Sequence, residues 1–117
     1  MAYALLSLAM VANHYWWRFA LTHMETAAVH RHPPGSVFPA HVDRLPTYPA
    51  RAQNVVAMVR PAERGGRLFL DLGGRRVEPD LAPGDVAVLD SGVLHGVTEV
   101  EEGERIVVVG HTHMTPR

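Results

Sequence analysis

The sequence predicts a mainly β fold, a sandwich or barrel of short strands preceded by one helix. Three observations predict it. Beyond residue 26, Gly and Pro punctuate the chain about every eight to twelve residues, the spacing of short strands joined by turns. Between those turns lie β-branched runs such as Ile106-Val107-Val108-Val109. The only long stretch without such punctuation is N-terminal and apolar.

That first stretch, about residues 2–24, reads as one helix. It is apolar at Leu5, Leu6, Leu8, Met10, Trp16, Trp17 and Phe19. Its apolar surface exceeds what one sheet face can cover, so the helix is expected to pack on the outside of a sheet and to offer a homodimer contact. Trp16, Trp17 and Phe19 read as core or subunit-contact aromatics. His14 and His23 read as structural. Strands are expected near 28–32, 37–42, 54–60, 67–72, 75–78, 85–89, 95–98 and 104–111. The Pro-rich loop Arg44–Arg51 should follow the second of these and form one wall of any site there. A chain of 117 residues makes one domain with a modest core: a supporting helix over 1–26 and a β core over 27–117.

Composition narrows the function classes. The net charge of −1 gives no electrostatic case for nucleic acid. There is no cysteine, so disulfides and thiolate chemistry are excluded. Met1–Ala12 lacks the basic start and cleavage site of a signal peptide. With His14, Arg18 and His23 close behind, the segment also fails as a membrane span, so no membrane partner is expected. Gly65-Gly66 and Gly73-Gly74 lack the Lys-Ser/Thr of a phosphate loop and read as turns.

The chemistry lies in His41-Val42-Asp43, His95 and Arg105. Side chains two apart on a strand share a face, so His41 and Asp43 can reach one ion. Two imidazoles and one carboxylate leave a metal with open positions, as in non-haem Fe(II) oxygenases; zinc accepts the same ligands. Arg105 interrupts a β-branched strand. Facing inward, it must be paired, and a carboxylate suits its planar fork; facing outward, it is an edge arginine near Glu99, Glu101 or Glu102. His111-x-His113 straddles the expected end of the last strand and reads as exposed or pocket-rim histidines. His111 shares parity with Arg105. His30 and His32 read first as packing or surface residues, with a pocket lining as the alternative.

Four stretches resemble the Fe(II)/2-oxoglutarate-dependent oxygenases, in particular their prolyl-hydroxylase-like branch. The first is Val29 to Asp43, a strand, glycine turn and His-x-Asp, with His32 where a tyrosine is common. The second is Asn54 to Val59 followed by Gly65-Gly66-Arg67-Leu68. The third is Pro83-Gly84-Asp85 with the strand after it. The last is Ser91 to Val97 with Gly103-Glu104-Arg105. Order and spacing agree over about residues 27–113.

The resemblance implies a double-stranded β-helix (jelly roll) and the metal ligands His41, Asp43 and His95 around Fe(II). It implies 2-oxoglutarate held at Arg105 and O2 as co-substrate. The implied reaction is hydroxylation of a C–H bond in a small molecule, amino acid or peptide, with release of succinate and CO2. It favours a cytoplasmic setting. A carboxylate at Asp43 argues against halogenation. One departure stands out: Val107 occupies a position where a Ser or Thr often shares the co-substrate carboxylate, and Asn54 and Tyr48 are the expected substitutes. The alternatives are a non-catalytic or shortened oxygenase-like domain, or a cupin-type metalloprotein, although the cupin His-x-His with a nearby Glu is absent around residue 41.

Overall fold

The computed structural model describes residues 2–115. Helix α1 (Ala2–Trp16) leads into strands β1 (Leu21–Met24), β2 (Ala28–His32), β3 (Phe38–His41) and β4 (Arg51–Arg60). Then come β5 (Arg64–Gly65), β6 (Leu68–Leu72), β7 (Arg75–Val77) and β8 (Val86–Asp90). The chain closes with β9 (Leu94–Val97), β10 (Val100–Glu102) and β11 (Arg105–Met114).

The strands form a double-stranded β-helix of antiparallel sheets. The larger sheet runs β1-β11-β4-β8, with β2 also paired to β11; the smaller runs β3-β9-β6-β7; β10 and β5 form a separate pair. The chain alternates between the sheets. Strands β2, β4, β8 and β11 lie in the larger, and β3, β6, β7 and β9 in the smaller.

Period-2 alternation sorts the side chains. On β4, Val56 and Met58 face inward and pack with Leu89, Val107 and Leu70 between the sheets. Val55 and Ala57 face outward and pack with Val108, Leu5 and Ala9, so α1 covers the outer face of the larger sheet. Burying side chains such as Leu5 and Val55 contributes about 1.5–3 kcal/mol each. A buried polar tie adds to this. Gln53 Nε2 donates to Ala9 O at 3.0 Å, and its Oε1 accepts from Thr112 Oγ1 at 2.9 Å.

The helix is shorter than the sequence suggests. It ends at Trp16, and Leu21–Met24, expected as its last turns, is strand β1. Asn13 explains the stop. Its carbonyl accepts from Trp17 N at 3.2 Å and Arg18 N at 2.7 Å. Its side chain brackets Phe19: Nδ2 donates to Phe19 O at 2.9 Å, and Phe19 N donates to Oδ1 at 2.7 Å. Arg18 takes the left-handed conformation (φ 57°) that closes helices. The released segment then pairs with the end of β11, Leu21 opposite Met114 and Met24 opposite Thr112. It satisfies backbone groups there that β2, which begins opposite Val109, does not reach.

The last strand, in turn, runs past its expected end at His111 to Met114, so His113 also lies inside it. His113 is buried and binds Glu25 Oε2 at 2.7 Å. The outer face of α1 leaves Tyr3, Met10, Val11, Tyr15 and Trp16 exposed. No helix among the described residues is long and apolar enough to cross a membrane.

Candidate metal and anion site

Strands β3 and β9 pair so that His41 stands directly opposite His95. Glycine at 96 permits this contact, because a Cβ there would strike the Phe38 carbonyl and the Phe69 ring. The chain leaves β3 after His41. Asp43 is then held by its own backbone, with Asp43 N and Arg44 N both donating to Ser91 O, at 2.9 and 3.0 Å. Arg44 locks the turn from outside through Arg51 O, Ala52 O and Asp90 Oδ1.

The three side chains converge. Each offers one ligand atom, and these atoms lie within 4.8 Å of one another. His95 Nε2 is 3.2 Å from Asp43 Oδ2, and His41 Nε2 is 3.5 Å from Asp43 Oδ1. Both imidazoles are set by the same device. His41 Nδ1 lies 2.9 Å from Pro39 O, and His95 Nδ1 lies 2.8 Å from Val93 O. A carbonyl only accepts, so Nδ1 carries the proton in each ring and Nε2 is turned toward the carboxylate. This is how metal-binding histidines are commonly oriented. His95 is buried, while the His41 side chain is 45% exposed, so the cluster opens on one side.

Asn54, on β4, supports the carboxylate. Its Nδ2 donates to Asp43 Oδ2 at 2.5 Å and lies 3.3 Å from His95 Nε2. Its Oδ1 accepts from Ser91 Oγ at 2.7 Å and from His111 Nδ1 at 2.9 Å. The amide orientation is thereby settled, since an acid needs the donor end. The His111 tautomer follows, with the proton on Nδ1.

Burial alone would raise the Asp43 pKa. Hydrogen bonds from His95 and Asn54, with the charges of His95 and His41, hold it instead far below the usual carboxylate range. Burial would lower His95, but its bonds to Asp43 and to the Val93 carbonyl raise it overall. The carboxylate thus favours positive charge at Nε2, and a divalent cation is such a charge. Burial, then Arg51, keeps His111 low.

A cavity of about 240 Å³ extends from this cluster between the sheets to Arg105, past Val56, Leu68, Val107 and Val109. Arg105 is 2% exposed. It forms no ion pair among the described residues, its Nε has no hydrogen-bond partner, and Nη1 donates to His32 Nδ1 at 3.2 Å. Burial lowers its pKa, yet a guanidinium stays charged in proteins. A fully buried cation without a counter-charge is costly, and an anion entering the cavity removes that cost.

The sequence pointed to Asn54 and Tyr48 as partners of Arg105. The structure places neither there. Asn54 is spent on Asp43, as the register of β4 against β8 and β11 carries it to the end of the cavity where Asp43 and His95 meet. Tyr48 is half-exposed, edge-on to His113 and beneath the Arg51 guanidinium. It lines a separate recess with Asp43, Leu45 and Arg51. Three residues carry more than the sequence suggested. Ser91 is fully buried at the hub, His111 lies inside the strand, and His32 is buried against Arg105. The parity of His111 with Arg105 was the signal for the second, and for His32 it was its alternation with His30 ahead of His41; Ser91, a lone polar residue in a turn, gave none.

No protein-family profile matches this chain, and no curated protein does. Solved structures do. A Pseudomonas putida prolyl-4-hydroxylase superposes with TM-score 0.82 at 23% identity, covering 99% of this chain and 65% of its own. An oxidoreductase of the 2OG-Fe(II) oxygenase family from Burkholderia pseudomallei gives 0.75 at 21%, covering 91% and 51%. A Trichoplax adhaerens prolyl hydroxylase, solved with a hypoxia inducible factor oxygen degradation domain peptide fragment, gives 0.79 at 19%, covering 92% and 52%. The fold is therefore that of the prolyl-hydroxylase branch of the 2OG-Fe(II) oxygenases, and this chain spans only about half to two thirds of those neighbours.

Proposed function

We propose that the protein is an Fe(II)/2-oxoglutarate-dependent oxygenase that hydroxylates a C–H bond of a small molecule, amino acid or peptide, releasing succinate and CO2. The observation that carries this reading is Arg105. A fully buried guanidinium without an acidic partner stands at the far end of the cavity that begins at a two-histidine, one-carboxylate cluster. A metal at one end and a buried cation at the other suit a molecule with a chelating head and a carboxylate tail. 2-Oxoglutarate is that molecule.

The donor set fits iron. Two Nε2 lone pairs and a carboxylate form the open set favoured by non-haem Fe(II). Iron and oxygen supply the oxidising chemistry, which no side chain here can perform. The protein's share is placement. His41, Asp43 and His95 would hold the metal, and Asn54 fixes the carboxylate rotamer. Arg105 binds the co-substrate tail, and Val56, Leu68 and Val107 line its path and exclude water. Substrate approaches over His41, the exposed member. The Trichoplax neighbour was solved in complex with a peptide fragment, which supports peptide among the candidate substrates. The exposed apolar side of α1 supports a homodimer contact.

The cupin alternative is less supported, since the cluster offers three ligands rather than three histidines and a glutamate. The test is an anaerobic titration of the metal-free protein with Fe(II) and then 2-oxoglutarate, following the visible charge-transfer band of the chelate. The band is expected in the parent protein and lost in Asp43→Ala and Arg105→Met. Iron binding without a band in the parent would sink the 2-oxoglutarate reading and raise the cupin one; no iron binding at all would make the domain non-catalytic.

A further inference from the structure

Arg105 alone does not complete an anion seat. The position two residues on, Val107, has no hydroxyl, and Asn54 and Tyr48 are engaged elsewhere. One polar side chain remains in contact with the guanidinium. His32 lies directly across the β2–β11 pairing from Arg105, is buried at 6% exposure, and lines the same cavity.

Its tautomer follows from its partner. Arginine can only donate, so His32 Nδ1, 3.2 Å from Arg105 Nη1, must accept. The ring proton then sits on Nε2. The ring is seated against Phe38, with centroids 4.4 Å apart, and Nε2 has no hydrogen-bond partner among the described residues. Burial first, then the neighbouring Arg105 and His30, lower the His32 pKa and keep the ring neutral.

We infer that His32 and Arg105 form one composite seat for the distal carboxylate of a dicarboxylic ligand. The inference rests on the reading above. In it, the guanidinium supplies charge and Nε–H, and His32 Nε2–H supplies a second, neutral donor. His32 does two things at once: it accepts from Nη1, which fixes the guanidinium plane, and it donates to the ligand. The seat selects a chain with a free carboxylate at its far end over a monocarboxylate of equal length.

The experiment uses metal-free protein, so that it does not depend on iron chemistry. Glutarate and butyrate are titrated calorimetrically into the parent, His32→Phe, His32→Gln and Arg105→Met. The ring-nitrogen NMR signals of His32 are followed in the parent. Glutarate is expected to bind the parent in preference to butyrate, and to bind His32→Phe about 10- to 100-fold more weakly, the effect of one hydrogen bond to a charged group. His32→Gln retains a donor and is expected to recover part of the affinity. The NMR signals should show the Nε2–H tautomer and shift on binding.

Equal glutarate affinity in parent and His32→Phe, with loss only in Arg105→Met, would overturn the role of His32 and leave the oxygenase reading standing. An Nδ1–H tautomer in the free protein, or absence of glutarate binding to the parent, would also overturn it. The iron titration described above judges the oxygenase reading separately.

Discussion

Replacing Asn54 with Leu isolates the support behind the metal carboxylate. Leucine keeps roughly the volume but removes the donor to Asp43 Oδ2 and the acceptor for Ser91 Oγ and His111 Nδ1. A hydrogen bond to a charged group contributes about 1.5–3 kcal/mol. At about 1.36 kcal/mol per factor of ten, its loss weakens metal binding about 10- to 100-fold. That matches the usual cost of removing a group that orients a metal ligand. Folding suffers as well, since each buried partner left unpaired costs about 1–3 kcal/mol. Metal affinity is measured by anaerobic equilibrium dialysis with Fe(II), or with Co(II) as an air-stable substitute, and stability by thermal melting. His111→Phe removes only one of the two donors to Oδ1, so its effect on metal affinity is expected to be the smaller. If the Leu variant melts earlier but holds metal within about threefold of the parent, well under the usual orienting effect, Asn54 serves the fold alone and the reasoning fails.

Other outcomes follow from the same geometry. Arg105→Met is expected to stabilise the ligand-free protein by about 1–4 kcal/mol, because a buried charge is exchanged for apolar volume; a lower melting temperature would show that the guanidinium already has a counter-charge. Gly96→Ala drives a methyl group into the Phe38 carbonyl and the Phe69 ring, so it should part β3 from β9 and abolish metal binding even where secondary structure survives by circular dichroism. Leu5→Ala empties a site packed against Ala9, Val55 and Val108 and is expected to cost about 2–5 kcal/mol in urea unfolding; a negligible change would mean that α1 is not docked in solution. His32 has a depressed pKa when folded, so its contribution to stability is complete above its unfolded value and is lost as pH falls through the folded one. The melting temperature of the parent should therefore fall more steeply on acidification below about pH 6.5 than that of His32→Phe, and parallel profiles would refute the assignment.

Most of the strands were legible because turns mark their ends and parity marks their faces. The clustering of His41, Asp43 and His95 was legible because His-x-Asp, a later histidine and an inward arginine need only spacing to be suspected. What escaped was set by distant partners. Leu21–Met24 continues an apolar run after a helix, and nothing local says that the edge of β11, at the other end of the chain, is waiting for it. The last strand was ended at His111 because Thr112-His113 is polar, whereas the burial of that pair comes from Gln53 and Glu25. Asn54 stood out as an amide in an apolar strand, yet its target depends on the register between strands. His32 read as a packing or surface residue, with a pocket lining only as the alternative, until its position opposite Arg105 was fixed.

Strand β11 carries both ends of the cavity on one face. Arg105 lies at one end, and His111 steadies Asn54 at the end that holds His41, Asp43 and His95. At about 3.3 Å per residue, the backbone between them spans about 20 Å. It is hydrogen-bonded to β4 on one edge and to β2 and then β1 on the other. The strand is thus a gauge that cannot slide. A slip of one residue would turn both groups out of the cavity together, so a single insertion in β11 removes both poles at once. Loops at the rim, by contrast, can change length and sequence without touching the gauge, which separates the shape of the cavity mouth from the spacing of the groups inside it.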